Sequence, residues 1–142
     1  MLIILCLAAG ENPARTNEKL VIGPIVEVYI SEADIYFSAR VDTGASTTSI
    51  NAEKLKAANG RVEYTIVNER GKESRLSSAI VKESIVKNAE SREKRYYVYL
   101  TIQHMGLAKK TLVNLNYRGE SAYKLLLGRN WLSGNYIVDV DR

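Results

Sequence analysis

The run Val41-Asp42-Thr43-Gly44-Ala45-Ser46 places one carboxylate at the end of an alternating stretch, Ile35 to Val41, that reads as a strand. Each residue type suits a carboxylate that exchanges protons. Asp42 can form one half of an acid–base pair. The Thr43 hydroxyl can fix the loop by hydrogen bonding, and Gly44 lets backbone N–H groups approach the carboxylate closely. The same residues also suit an Asp that only stabilises a strand-to-turn transition, so the motif alone does not decide. A second stretch adds weight. Lys124-Leu125-Leu126-Leu127 runs into Gly128, followed by Arg129-Asn130-Trp131-Leu132. A glycine after bulky apolar residues marks close backbone packing, here expected against the Asp42 loop. Ser46 does not read as a nucleophile, because no base is placed to activate it.

Counting residues removes other chemistries. Cys6 and His104 are the only Cys and the only His. One chain therefore cannot build a His/Cys zinc site or close an internal disulfide. No loop concentrates Asp and Asn as a hard-cation site requires, so neither a metal nor a cofactor is expected. The net charge of +4 is mild, and acidic residues are interspersed with basic ones, leaving no stripe for nucleic acid. His104, Lys109-Lys110 and the Arg92 to Arg95 run read as structural or solvated positions.

The elements that must carry these residues are mostly strands. The 142 residues suit one domain, and 46% apolar with 25% charged residues is an ordinary globular balance. Leu20 to Ile30, Ile35 to Val41, Arg61 to Val67, Ala79 to Val86, Arg95 to Ile102, Lys110 to Asn116 and Tyr136 to Val140 read as strands. Asn51 to Ala58 reads as a helix stopped by Asn59-Gly60, and Asn68 to Lys72 as a hairpin tip. The fold expected over residues 20–142 is a mainly β, small closed barrel with one or two short helices, because closure removes exposed edges. Met1 to Ala9 is apolar and ends at Gly10-Glu11-Asn12-Pro13, resembling a secretory signal without a basic start. It is too short to span a bilayer. Residues 1–19 thus read as a signal-like segment and linker, with a periplasmic or secreted location expected and a cytoplasmic one as the alternative.

Val41-Asp42-Thr43-Gly44-Ala45 followed by Leu126-Leu127-Gly128-Arg129-Asn130 is similar to the paired signature of retropepsins, which are aspartic proteases. Val21-Ile22-Gly23-Pro24, Ser49-Ile50-Asn51-Ala52, Leu112-Val113-Asn114-Leu115 and Val138-Asp139 extend the likeness to a bacterial retropepsin-like group. That group is the RimK-associated family labelled ATP-dependent zinc protease, often linked to glutamate-ligase enzymes. The resemblance covers about Leu20 to Asp141. It implies an acid-protease barrel in which Asp42, Thr43 and Gly44 are catalytic, with Ala45, Ser46, Gly71, Leu127 and Gly128 binding a peptide or protein substrate. Arg129 would serve the dimer seam or the structure. One Asp-Thr-Gly per chain is half an active site, so the resemblance also implies a homodimer, with Arg61 to Ile85 as the flap. Family members commonly carry a His where this chain has Asn51, and Asn-Arg where it reads Asn116-Tyr117-Arg118. Zinc dependence therefore does not carry over, nor does any role for the second region.

Overall fold

The computed structural model describes residues 18–142. The signal-like Met1 to Ala9 segment and Cys6 lie outside the described residues. From Leu20 onward the chain is almost entirely strand, and the alternation read from sequence sorts its side chains. In β2 (Ile25–Ile30), Val26, Val28 and Ile30 are buried while Ile25 and Glu27 are exposed. In β3 (Ile35–Val41), Ile35, Phe37 and Ala39 point inward in the same way. These two strands form a hairpin across Ser31–Asp34, with Val28 opposite Phe37. A slip of one residue would turn all six apolar side chains to water, so the register is fixed by burial.

The expected closed barrel is present. β3 pairs with β2, β2 with β8 (Arg92–His104), β8 with β9 (Leu107–Asn116), and β9 with β4 (Thr48–Ala58). The short β10 (Leu125–Leu127) then joins β4 to β3 and closes the ring of six strands. Its core includes Ile30, Phe37, Ile50, Leu100, Ile102, Val113, Leu125 and Leu127. The expected short helix is α1 (Arg129–Leu132), which buries Trp131 and Leu132. β1 (Leu20–Ile22) and β11 (Tyr136–Val138) pair in parallel as a separate two-stranded sheet.

Five expectations are corrected. Asn51 to Ala58 is not a helix but the C-terminal half of β4, paired with β5 (Arg61–Val67) from Ala52 opposite Ile66 to Ala58 opposite Arg61. Asn59 and Gly60 both have positive φ, 55° and 75°, and make a two-residue hairpin turn instead of a helix stop. Leu20 to Ile30 is interrupted at Gly23-Pro24, where the Arg142 carbonyl lies 3.0 Å from the position a Cβ on Gly23 would take. The Ala79 to Val86 strand is also two pieces. β6 (Glu73–Ala79) pairs with β5, whereas β7 (Lys82–Lys87) pairs with β8. Ile80 donates to Gly60 O and Val81 to Tyr97 O, handing the chain from one partner to the next. The proposed flap therefore also divides, because Arg61 to Ile85 spans two separate pairings.

His104 belongs to an aromatic cluster, edge-on to Trp131 and Tyr136, with Nδ1 3.3 Å from the Tyr136 hydroxyl. Partial burial lowers its pKa below the ordinary 6.5. A group depressed in this way is protonated more readily in the unfolded chain, so its contribution is full above the unfolded pKa and is lost as pH falls below it. Thermal midpoints measured at about pH 7.5 and about pH 5 should differ less in His104→Phe than in wild type. For a half-buried ring, still partly screened by solvent, the effect should stay under about 1 kcal/mol.

Candidate active site

The Asp42 loop is built almost wholly from main-chain bonds to the segment that closes the barrel. β10 lies between β3 and β4, parallel to the first and antiparallel to the second. At its end Asp42 N–H donates to Leu127 O at 2.9 Å, and Arg129 N–H donates to Ala45 O at 2.8 Å. Asn130 N–H reaches Ser46 O at 3.2 Å. The two segments singled out by residue type, 82 residues apart at Thr48 and Asn130, are thereby stitched into one unit. Thr48, fully buried, gives its hydroxyl to Asn130 Oδ1 at 2.9 Å and accepts Gly128 N–H at 3.1 Å. Asn130 also receives Thr48 N–H and donates through Nδ2 to Leu112 O. Arg129 Nη1 donates to Thr43 O at 3.0 Å, so its guanidinium braces the loop.

Within the loop, Gly44 N–H donates to Asp42 Oδ1 at 3.0 Å. A bond of this kind orients the carboxylate. Asp42 is half-buried, and Thr43, Gly44 and Ser46 are exposed. The loop therefore presents one oriented carboxylate at the surface of the barrel.

Beside it lies a loop that sequence reasoning left without a role, Tyr117 to Lys124. The Lys124 ammonium binds three of its carbonyls, Arg118 O, Gly119 O and Ser121 O, at 2.6 to 3.1 Å. Arg118 Nε and Nη2 reach Tyr123 O and Ser121 Oγ, and its N–H donates to Asn51 Oδ1 at 2.7 Å. Burial lowers the pKa of the Arg118 guanidinium, while the charge of Asp42 acts in the opposite direction. The Arg118 guanidinium thus lies within reach of the charge of Asp42. Asn51 is 1% exposed and saturated, giving Nδ2 to Val67 O and Glu53 while Oδ1 holds Arg118. It is a structural pin, at the position where the resemblance set a His. The signal for this group was only the unmatched Asn116-Tyr117-Arg118.

Several residues expected to bind substrate are placed differently. Leu127 is fully buried in the core and reaches the site only through its carbonyl. Gly128 is likewise buried, packed against the Thr47 and Ala45 main chain. Both position the loop and do not line it. Leu126, between them and buried Leu125, is the half-buried residue turned out of the barrel. Gly71, with φ of 80°, sits at the β5–β6 tip. That tip is tied to β3, where Asn68 Nδ2 donates to Tyr36 O and Glu69 accepts Ser38 N–H. Tyr36 and Ser38 precede Asp42 by six and four residues along an extended strand, about 13 to 20 Å, so the tip is anchored away from the loop. The hairpin that does project is β7–β8, whose outer residues Arg92 to Arg95 run past the end of β9 and turn at Asn88–Ser91.

The donors present do not fit a zinc site. Among the described residues no three His, Cys, Asp or Glu side chains converge, and His104 is engaged with Tyr136 and Trp131.

A family profile described as RimB-like, retropepsin-like aspartic endopeptidase RimB, matches residues 21–142. The chain belongs to this family. Among curated proteins it is similar to a probable alpha-L-glutamate ligase of Shewanella pealeana, 36% identical over 110 residues. A second protein of that name, from Shewanella halifaxensis, is 32% identical over 109 residues. The match takes 71% of this chain but 24% of each ligase, so the chain spans about a quarter of the relatives' length. Among solved structures it resembles Lpg0085 of Legionella pneumophila, a protein of unknown function, with a TM-score of 0.74 and 25% identity. That likeness covers 88% of this chain and 96% of the other. In this RimB-like chain the barrel, the Asp42 loop and the Leu126–Asn130 crossing form one retropepsin-like framework.

Proposed function

We propose that this RimB-like chain is an aspartic endopeptidase whose dyad is completed by a second copy, each contributing Asp42. The observation that carries the reading is the pinned loop itself. One half-buried carboxylate is presented at the surface, oriented by Gly44 N–H, and its loop is braced by Leu127 and Arg129 main-chain and side-chain contacts. Two such carboxylates a few ångströms apart cannot both ionise, so they share a proton. One then takes a proton from water as it attacks the scissile carbonyl, and the other protonates the carbonyl oxygen. The pair titrates as a unit. Thr43 is exposed, and among the described residues its hydroxyl makes no hydrogen bond, which leaves it free to meet its mate.

The same face supports pairing. A hollow of about 440 Å³ runs from Thr43 and Arg129 to Tyr136 and Val138 of β11. The adjoining β1–β11 sheet exposes Leu20, Val21 and Ile137. β11 is already paired with β1 of its own chain, and the dimer is expected to be weak, about micromolar or −8 kcal/mol. β7–β8 takes the place of Arg61 to Ile85 as the hairpin that closes over a peptide.

A diverse peptide library incubated at several pH values, read by mass spectrometry, supplies a cleavable substrate. Activity per chain should then fall on dilution below the dimer dissociation constant, and bound substrate should oppose the fall. Specific activity that stays constant across dilution would mean that one chain suffices. The alternative reading is a retropepsin-fold module that holds a peptide or partner enzyme without cutting. The ligase names of the curated relatives favour it, and a library that is bound but never cleaved would select it.

A further inference from the structure

β9 lies between β8 and β4, and it stops at Asn116 while both neighbours run on. Asn116 pairs with Asn51, and Leu115 with Tyr96. Beyond these pairs β4 continues through Ala52 to Ala58, and β8 extends back through Arg95 to Arg92. The partners of both extensions lie on their far sides. Tyr97 O accepts Val81 N–H, and Thr101 N–H donates to Glu32 beside β2. Odd-numbered residues of β8 therefore turn their main-chain groups to β7 and β2, and even-numbered ones turn theirs to the β9 side. On β4, Asn51 N–H donates to Lys124 O on the β10 side. The β5–β6 tip reaches β3 on that same side, through Asn68 and Glu69. β5 thus covers the β10 edge of β4, and the edge facing β8 is unpaired among the described residues.

What remains is a short slot in line with β9, between β8 and the first residues of the β4 extension; farther on β4 curves back towards β8, since Gly60 O accepts Ile80 N–H and the next residue, Val81, donates to Tyr97 O. A single strand between two others needs about 10 Å. Two cavities lie here, one in the slot and one where β4 curves back. One, of about 400 Å³, is lined by Leu55, Lys94, Leu115 and Tyr117. The other, of about 360 Å³, lies between Ala58, Lys94 and Tyr96. The acids around them are engaged within the chain, Glu53 by Asn51, Glu83 by Lys94 and Glu93 by Arg95. The first cavity carries Glu53 and Glu93 against Lys54 and Lys94, so its charges balance and select neither a basic nor an acidic ligand. Main-chain groups and the exposed apolar surfaces of Leu55 and Tyr117 are what the slot offers.

We propose that this slot accepts an extended, uncharged polypeptide segment as an added strand, hydrogen-bonded to β8 at Lys94 and Arg92. Main-chain pairing supplies affinity in this mode, and an apolar side chain against Tyr117 and Leu55 supplies selectivity. The proposal is independent of catalysis at Asp42. An occupant would also tie the root of the β7–β8 hairpin to β4.

The test uses the full chain and a dye-labelled, end-blocked peptide of alternating Thr and Val, followed by fluorescence anisotropy. Binding should be measurable, and amide exchange should slow at Lys94 and Arg92. Lys94→Pro removes an N–H that faces the slot and not β7, a place where strand edges tolerate proline. It should weaken binding about tenfold and leave the thermal midpoint nearly unchanged. Tyr117→Ser, at an exposed position, should weaken binding without risk to the fold. No binding at millimolar peptide, or equal affinity in both variants, would overturn the proposal. Tighter binding after removal of residues 1–17 would assign the slot to the chain's own segment. A dimer dissociated by Lys94→Pro would assign it to a second copy. Either result would replace the partner reading.

Discussion

Asp42→Asn should lower kcat/KM for a cleaved peptide by at least about a thousandfold, the scale expected when an acid–base group is removed. The fold should survive. Asn has the shape of Asp, the residue is only half-buried, and its Oδ1 can still accept Gly44 N–H at the observed 3.0 Å. The Asp42 N–H bond to Leu127 O is main-chain and unaffected. The loss would therefore report proton chemistry and not a displaced loop. A second readout separates a shared dyad from a single working carboxylate. When Asp42→Asn chains are mixed in excess with wild type, heterodimers carry one aspartate, and activity should fall beyond simple dilution. Undiminished turnover by a folded Asp42→Asn protein would end the aspartic mechanism. Absence of suppression in demonstrably mixed dimers would end the shared dyad.

How far the site was legible in the sequence depended on whether its information was local. Asp42-Thr43-Gly44 and Leu126-Leu127-Gly128 could be read because residue type alone sets their behaviour: a carboxylate, a permissive glycine, and an apolar run with no room for a side chain. Val26, Val28 and Ile30 could be read because burial imposes a period of two. Asn51 to Ala58 misled, since its helix formers are overruled by pairing with β5, and Asn59-Gly60 suits a hairpin turn as well as a helix stop. The division of the expected flap was hidden for a related reason. Both Asn68–Lys72 and Asn88–Ser91 carry turn residues, and only the long-range bonds from Asn68 and Glu69 to β3 reveal which tip is held down. Arg118 was missed because its place depends on Asn51, 67 residues earlier, and on the Lys124 ammonium gripping its loop. No spacing rule encodes such contacts.

Gly128→Ala is the substitution expected to damage both the fold and the site. An ideal Cβ at this position would lie 2.7 Å from Thr47 C, 2.9 Å from Thr47 O and 3.0 Å from Ala45 O. All three are main-chain atoms of the segment that follows Asp42, so no side chain can swing aside to make room. Gly128 N–H is also committed to Thr48 Oγ1, which is fixed in turn by Asn130. Relief can come only by moving β10 away from the loop, which stretches the Asp42 to Leu127 and Arg129 to Ala45 bonds together. Overpacking against rigid backbone costs about 3 kcal/mol at the upper end of the usual range, and for a domain near this size each kcal/mol lowers the midpoint by roughly 4 °C. Denaturant unfolding should show the loss as a lower midpoint with an unchanged slope. At temperatures where the variant remains folded, cleavage should still fall well below wild type, because the loop carrying Asp42 is displaced. Gly44→Ala offers the contrast, since its Cβ would meet only Asp42 Oδ1, at 3.3 Å, and the carboxylate can turn. It should perturb activity while sparing most of the stability. Equal stability in Gly128→Ala and wild type would show that the crossing of β10 with the Asp42 loop is looser than these contacts require.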